Sequence, residues 1–213
     1  MKYISTRGKA PVLGFEDALL AGLADDGGLY VPESWPRLSE AMIAGFADKS
    51  FAEIAVDVLH PFMGDDVPRA RLQQMVEEAY AGFAHDEVTP LTDLGDGQYF
   101  LELYHGPTLA FKDVAMQLLA RLMDDALMRR GARATIIGAT SGDTGGAAIE
   151  AFRNREAVDI FILFPDGRVS DVQRKQMTTP TDANVHTLSV VGTFDDCQAL
   201  VKGMFNDAPF RKE

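Results

Sequence analysis

The strongest constraint on the fold is an alternation of apolar runs and helical patterns between residues 134 and 205. Two runs, Ala134–Gly138 and Val158–Phe164, are almost continuously apolar and of strand length, which is typical of strands buried on both faces. A third strand is predicted at Val185–Val191, and patterns of helical spacing separate the three strands and follow the last. Strands that alternate with helices predict an α/β fold with a parallel sheet and right-handed crossovers.

Helical patterns dominate the N-terminal part of the chain. Ser50 and Glu53 have the spacing of a capping box at the start of one helix, and Pro68 opens another at a position that proline tolerates. We therefore predict a small, mainly helical N-terminal domain over residues 1–90. Residues 91–213 are predicted to form an α/β domain, with an open, twisted, mostly parallel sheet and helices on both faces.

Composition and charge exclude several classes of function. No apolar run reaches the length of a membrane-spanning helix, and the N-terminus lacks the apolar core of a signal peptide. The single cysteine, Cys197, excludes an internal disulfide and a cysteine-rich metal site, and we expect no metal. A net charge of -12 argues against nucleic acid or an anionic membrane as the main partner. We expect a cytoplasmic protein, whose oligomeric state the sequence does not indicate.

A lysine at the start of a predicted helix is the first candidate functional residue. Lys112 follows the turn residues Gly106 and Pro107, and apolar residues at helical spacing begin at Ala115. The positive end of a helix dipole favours a neutral amine over a cation, which suits a lysine that forms a Schiff base. Taken alone, Lys112 is better explained as a solvated surface lysine. Whether Lys112 is a Schiff-base lysine or a surface lysine therefore depends on the residues around it.

The loop Ala139–Gly146, which joins a buried-type strand to the next helix, is the second candidate site. It is rich in hydroxyl groups, and the free N–H groups of a helix N-terminus suit a carboxylate or phosphate. Capping of the helix by Asp143 or Thr144 is a compatible alternative, and the glycine spacing fits neither a P-loop nor a dinucleotide fingerprint. A strand is also predicted at Gln98–Leu103, before Lys112, so we expect the two candidate loops to follow successive strands of one sheet and to open on the same edge. A lysine and an anion cradle would then form a plausible pyridoxal phosphate site.

Several segments resemble the threonine synthase family, which belongs with tryptophan synthase β to the fold type II pyridoxal phosphate enzymes. Residues Glu102–Met116 are similar to the lysine-attachment signature of that group, and His105–Asp113 and Ala139–Gly146 are similar to threonine synthases in particular. The further similar segments are Asp25–Glu33, Val169–Met177 and Gly192–Gln198. The resemblance extends from the first predicted helix to the last and is closest to the longer bacterial and fungal branch.

The resemblance implies that the cofactor is pyridoxal 5'-phosphate, held by Phe111, Lys112 and Asp143, with Lys112 as the covalent attachment. The substrate-binding residues that it implies are His105, Thr140, Ser141, Gly142, Thr144 and Gly145. For His105 a second interpretation stays open, in which the imidazole only orders the turn. The wider group usually has asparagine at the position of Asp143, so the role of that side chain does not carry over with the role of the loop.

The implied reaction converts O-phospho-L-homoserine and water to L-threonine and phosphate, the last step of threonine biosynthesis, and makes the protein a carbon–oxygen lyase acting on phosphates. Lys112 would also move protons at the α and β carbons of the substrate. One alternative is a threonine synthase-like phospho-lyase that gives 2-oxobutyrate, and another is an inactive N-terminal fragment. Threonine synthases of this branch are roughly twice as long. We therefore expect an N-terminal portion that lacks the loop for the cofactor phosphate and retains little cofactor by itself.

Overall fold

The computed structural model describes residues 1–207, so the part of the predicted α/β domain at 208–213 lies outside the described residues. The chain divides into two compact units, Met1–Ala81 and a second unit that begins at Gly82. Within residues 1–207, no helix is long and apolar enough to cross a membrane. The same residues contain no cluster of three or more His, Cys, Asp or Glu side chains that could hold a metal ion.

The division between the units precedes the predicted boundary at residue 90. Two backbone hydrogen bonds explain the difference, because they tie the segment after Gly82 to the second unit. The N–H of Ala84 donates to the carbonyl of His105 at 2.8 Å, and the N–H of Glu102 donates to the carbonyl of Pro90 at 3.0 Å. The segment therefore folds with the turn that precedes Lys112.

The first unit is mainly helical. Its elements are β1 (Tyr3–Ser5), α1 (Phe15–Ala21), β2 (Tyr30–Pro32), α2 (Glu40–Ala44), α3 (Phe51–Met63) and α4 (Arg69–Tyr80). Strands β1 and β2 pair antiparallel, while α3 packs against α4 over a core that includes the fully buried Val56 and Leu72. The predicted capping box is present, because Ser50 Oγ accepts from the N–H of Glu53 at 3.3 Å and the Glu53 carboxylate accepts from the N–H of Ser50 at 2.8 Å.

The second unit contains the predicted parallel sheet. Its elements are β3 (Leu91–Gly95), β4 (Gln98–Leu101), α5 (Asp113–Arg130), β5 (Ala134–Ala139), α6 (Asp143–Phe152), β6 (Val158–Pro165), α7 (Asp171–Thr178), β7 (Val185–Val190) and α8 (Phe194–Asn206). Strands β5, β6 and β7 lie in that order and run parallel. Strand β6 is paired on both edges, and most of its side chains are buried, which explains its continuous apolar run.

The strand before Lys112 does not belong to this sheet. Strands β3 and β4 form a separate antiparallel pair, and every residue of both strands is exposed. The expectation that the two candidate loops follow successive strands of one sheet is therefore wrong. The physical reason is the turn at Asp96 and Gly97, where φ is 50° and 74°. Two successive positive φ angles close a tight hairpin, so β3 and β4 pair with each other.

Candidate active site

Lys112 lies directly before helix α5, as its N-cap residue, one position earlier than the first turn in which the sequence predicts it. Its Nζ is 4.7 Å from the centroid of the Phe111 ring. Lys112 lines a cavity of about 330 Å³, and the lining is mostly apolar: Leu103, Phe111, Lys112, Val114, Ala115 and Met116. The structure thus brings Phe111 and Lys112, both implied cofactor residues, to one cavity.

A buried carboxylate fixes the turn that carries Lys112. Asp113 is 0% exposed, and its Oδ2 and Oδ1 accept from the N–H and the hydroxyl of Thr108, each at 2.8 Å. Burial raises the pKa of Asp113, while the hydrogen bonds from Thr108 act in the opposite direction. A Cβ on Gly106 would lie 2.4 Å from the Cβ of Asp113, so only glycine fits without moving the carboxylate.

Leu109, in the same turn, has an uncommon backbone conformation. Its φ is 63°, in the left-handed region, although its side chain is 68% exposed and gains little from packing. A leucine in this region costs roughly 1–2 kcal/mol, so the surrounding contacts must hold it. These contacts include the N–H of Leu109 itself, which donates to the carbonyl of Gly106 at 3.1 Å, and the two hydrogen bonds from Thr108 to Asp113.

His105 is part of a polar network that orders the start of the turn. Its Nε2 is 2.6 Å from a carboxylate oxygen of Glu102, and its ring centroid is 4.7 Å from that of Tyr104 and 5.2 Å from that of His85. Hydrogen bonds from Thr92, His105 and Tyr104 lower the pKa of Glu102 to about 2. Among the described residues, His105 is not part of the cavity lining at Lys112. These contacts favour the interpretation in which His105 orders the turn.

Thr140 shapes the hydroxyl-rich loop from within. Its side chain is buried, and its Oγ1 accepts from the N–H groups of Gly142 at 3.0 Å and Gly145 at 2.9 Å. A Cβ on Gly145 would lie 2.4 Å from Thr140 Cγ2, so the loop closes tightly on this residue. Thr140, Gly142 and Gly145 thus hold the loop together, and two of the N–H groups expected to meet an anion are already bonded.

Ser141, Asp143 and Thr144 form the exposed rim of the loop. Within residues 1–207, their N–H groups have no protein acceptor. Helix α6 begins at Asp143, so these N–H groups lie at a helix N-terminus, where the dipole favours an anion. Neither Asp143 nor Thr144 caps α6, because the N-cap position belongs to Gly142, without a side-chain hydrogen bond. The rim is therefore the part of the loop that can meet an anionic ligand.

Helix α7 contacts both candidate loops. The Nε2 of Gln173 donates to Oδ1 of Asp143 at 2.7 Å, and the Nε2 of Gln176 donates to the carbonyl of Thr108 at 3.1 Å. Thr108 belongs to the turn that carries Lys112, so one helix holds both loops. The sequence predicts α7 but gives no role to its glutamines, whose contacts span 30 and 68 residues of chain.

Comparisons with known proteins identify the family. A family model described as "Threonine synthase N terminus" matches residues 2–80. The threonine synthase of Pseudomonas aeruginosa is 54% identical over 212 residues, which cover 100% of this chain and 45% of that protein. The chain belongs to the threonine synthase family. The resemblance found in the sequence is therefore confirmed.

A solved threonine synthase has the same architecture. The crystal structure of pyridoxal phosphate-bound threonine synthase from Brucella melitensis has a TM-score of 0.95 and 63% identity, covering 99% of this chain and 45% of that one. "Threonine synthase-like 2" of Xenopus laevis is 40% identical over 214 residues, which cover 100% of this chain and 46% of that protein. The chain thus spans a little less than half the length of the threonine synthase relatives that it matches.

Proposed function

We propose that the protein containing this chain is a threonine synthase, which converts O-phospho-L-homoserine and water to L-threonine and phosphate. One observation carries the proposal: the Lys112 turn and the Asp143 loop, far apart in sequence, are both hydrogen-bonded to helix α7. The identity of 54% to a threonine synthase along the whole chain supports the same reaction. The substrate is a small anionic amino acid, and the anion-binding rim Ser141–Thr144 has the chemistry to receive its carboxylate.

The proposal extends to the domains and to location. We propose a mainly helical N-terminal domain and an α/β domain whose sheet is part of an open, twisted, mostly parallel fold type II sheet, with helices on both faces. The TM-score of 0.95 to a threonine synthase supports this architecture. We also propose a cytoplasmic location, which suits a biosynthetic enzyme with a small-molecule substrate.

The residues around the cavity fit pyridoxal 5'-phosphate. A lysine amine stands against an aromatic ring at a cavity of about 330 Å³, and exposed N–H groups lie at a helix N-terminus in the same unit. We propose that Lys112 holds the cofactor covalently, that Phe111 lines it, and that Asp143 is a further contact. When bound, the cofactor supplies an electron sink for the carbons next to the substrate amine.

The residues of the cavity and of the two loops each have a defined task in the proposed reaction. Lys112 Nζ accepts and returns protons at the α and β carbons of the substrate, as general base and acid. The N–H groups of Ser141 and Thr144 bind the substrate carboxylate and fix the amino-acid end of the substrate. Phe111 and Leu103 supply apolar walls of the cavity that Lys112 lines. Thr140, Gly142, Gly145 and His105 act by holding the loops in shape.

Lys112→Ala tests this assignment. We expect turnover of O-phospho-L-homoserine to fall by at least about 100-fold, because the variant loses both the cofactor attachment and the base. The release of L-threonine and phosphate measures the effect, and circular dichroism checks that the fold is kept. Lys175→Ala, a change of an exposed lysine outside the cavity, is the control and should keep full turnover. Near-normal turnover of Lys112→Ala would contradict the assignment.

A threonine synthase-like phospho-lyase is the second candidate, and the match to "threonine synthase-like 2" of Xenopus laevis at 40% identity shows that the similarity is not confined to proteins named threonine synthase. Both reactions release phosphate, so phosphate assays cannot separate them. The organic product does separate them. L-threonine supports the first proposal, whereas 2-oxobutyrate without L-threonine supports the second.

A further inference from the structure

Helix α7 presents two glutamines to the two loops of the proposed active site. Gln173 and Gln176 are three residues apart, a spacing that makes them neighbours on one helical face. Met177, on the same helix, is 0% exposed and anchors α7 in the core of the second unit. The helix is therefore a fixed support rather than a surface segment that only happens to touch the loops.

The amide of Gln173 is held at both ends. Its Oε1 accepts from the N–H of Ser170 at 3.1 Å, as part of a capping box, and its Nε2 donates to Asp143 Oδ1 at 2.7 Å. The side chain also packs against Gly142, because a Cβ added to that glycine would lie 2.3 Å from Gln173 Cδ. The capping box thus fixes the orientation of the donor that Gln173 offers to Asp143.

Gln176 reaches the other loop. Its Nε2 donates to the carbonyl of Thr108, whose N–H and hydroxyl are both bound by the buried Asp113. Asp113 is the residue after Lys112. A continuous set of hydrogen bonds therefore leads from α7 to the backbone that places the lysine.

We infer that α7 sets the relative position of the Lys112 turn and the Asp143 loop, with Gln173 and Gln176 as positioning residues. The inference rests on the proposed function, since it concerns the same site. Neither glutamine carries a group that reacts. Gln173 acts through Asp143, and Gln176 acts through Thr108. Loss of either contact frees one loop to move relative to the other, which weakens cofactor binding before it weakens the fold.

Gln173→Glu separates positioning from helix capping. Glutamate is as good as glutamine at this position of a capping box, so the helix start is kept. The donor to Asp143 is lost, however, and two carboxylates face each other instead. We expect pyridoxal phosphate to bind the whole protein on the order of tenfold more weakly, while the unfolding midpoint stays near that of the wild type. Fluorescence titration measures binding, and Val172→Ala, a change at a 65% exposed position of α7, should bind normally.

A double-mutant cycle with Asp143→Asn shows whether Gln173 acts through Asp143. In the Asp143→Asn background the amide can donate to the new glutamate, so Gln173→Glu should weaken binding by less than about threefold there. An effect of Gln173→Glu that is equal in the two backgrounds overturns the inference. Normal binding by Gln173→Glu in the wild-type background overturns it as well.

Comparison with Lys112→Ala separates this inference from the proposed function. If Lys112→Ala abolishes cofactor binding and Gln173→Glu leaves it unchanged, the positioning role is wrong and the proposed function is not affected. The absence of any binding that depends on Lys112 overturns the function, and the inference falls with it. If cofactor binding needs Lys112, and if Gln173→Glu weakens it more in the wild type than in Asp143→Asn, the proposed function and the positioning role are both supported.

Discussion

At the scale of single residues, the buried pair of Thr108 and Asp113 matters most for the proposed site. Asp113 is fully buried next to Lys112, and it holds Thr108 across the left-handed Leu109. In the sequence, both residues stand out only because they lie in the segment that resembles the lysine-attachment signature. Their contact could not be predicted from spacing, because a turn of six residues offers many pairings, and the burial that makes this one strong depends on the whole unit.

Thr108→Val tests the pair. The change keeps the side-chain shape and removes the hydroxyl that donates to Asp113 at 2.8 Å. We expect the free energy of unfolding to fall by about 1–3 kcal/mol at neutral pH, because a buried carboxylate loses a donor. The control is Thr178→Val, which removes an exposed hydroxyl bonded to the carbonyl of Arg174 and should cost much less. Urea unfolding curves of both variants measure the difference.

The same variant should show a defined pH dependence. Burial raises the pKa of Asp113, and the hydrogen bonds from Thr108 lower it, so removing the hydroxyl raises that pKa further. The folded variant therefore binds a proton more readily than the folded wild type. Its stability deficit is largest where Asp113 is ionised and shrinks as the pH falls through the raised pKa. A deficit that grows towards acidic pH would show that the carboxylate is not the partner that matters.

At the scale of elements, apolar patterning predicts the parallel sheet well. Strands β5, β6 and β7 begin and end within about one residue of the predicted positions, because continuous apolar runs mark strands buried on both faces. Strand β4 is predicted, whereas β3 and its pairing with β4 are missed, although Asp96-Gly97 is a strong hairpin signal. Helix α2 is missed because its five residues, Glu40–Ala44, are too few to show a period.

The loop between β5 and α6 depends on the absence of a side chain at Gly142. Its φ of 148° disfavours other residues, and a Cβ would displace Gln173. We expect Gly142→Ala to lower the free energy of unfolding by roughly 1–3 kcal/mol through strain alone. Gly146→Ala is the matched control, since its nearest neighbour, Gln176 Oε1, lies 3.4 Å from the added Cβ and alanine favours a helix. Equal stability of the two variants, measured by chemical denaturation, would contradict this account of the loop.

At the scale of the whole molecule, the hairpin β3–β4 carries an exposed apolar surface. Leu91, Leu94, Tyr99, Phe100 and Leu101 are between 49% and 63% exposed. A two-stranded hairpin is marginally stable by itself, and clustered exposed apolar side chains mark surfaces that bind other apolar groups. Sequence alone predicts a strand here but not its exposure, because exposure depends on what packs against both of its faces.

This surface should bind a hydrophobic dye, and the binding should depend on the aromatic residues of β4. We expect the 213-residue chain to bind a naphthalenesulfonate dye, and the double change Tyr99→Thr with Phe100→Thr to remove at least about half of the fluorescence. Threonine keeps the strand propensity, and both side chains are more than half exposed, so the unfolding midpoint should change little. The control is Val191→Thr, at a position that is 94% exposed but lies outside the hairpin. If Val191→Thr reduces the signal as much as the double change does, the dye is not binding at the hairpin.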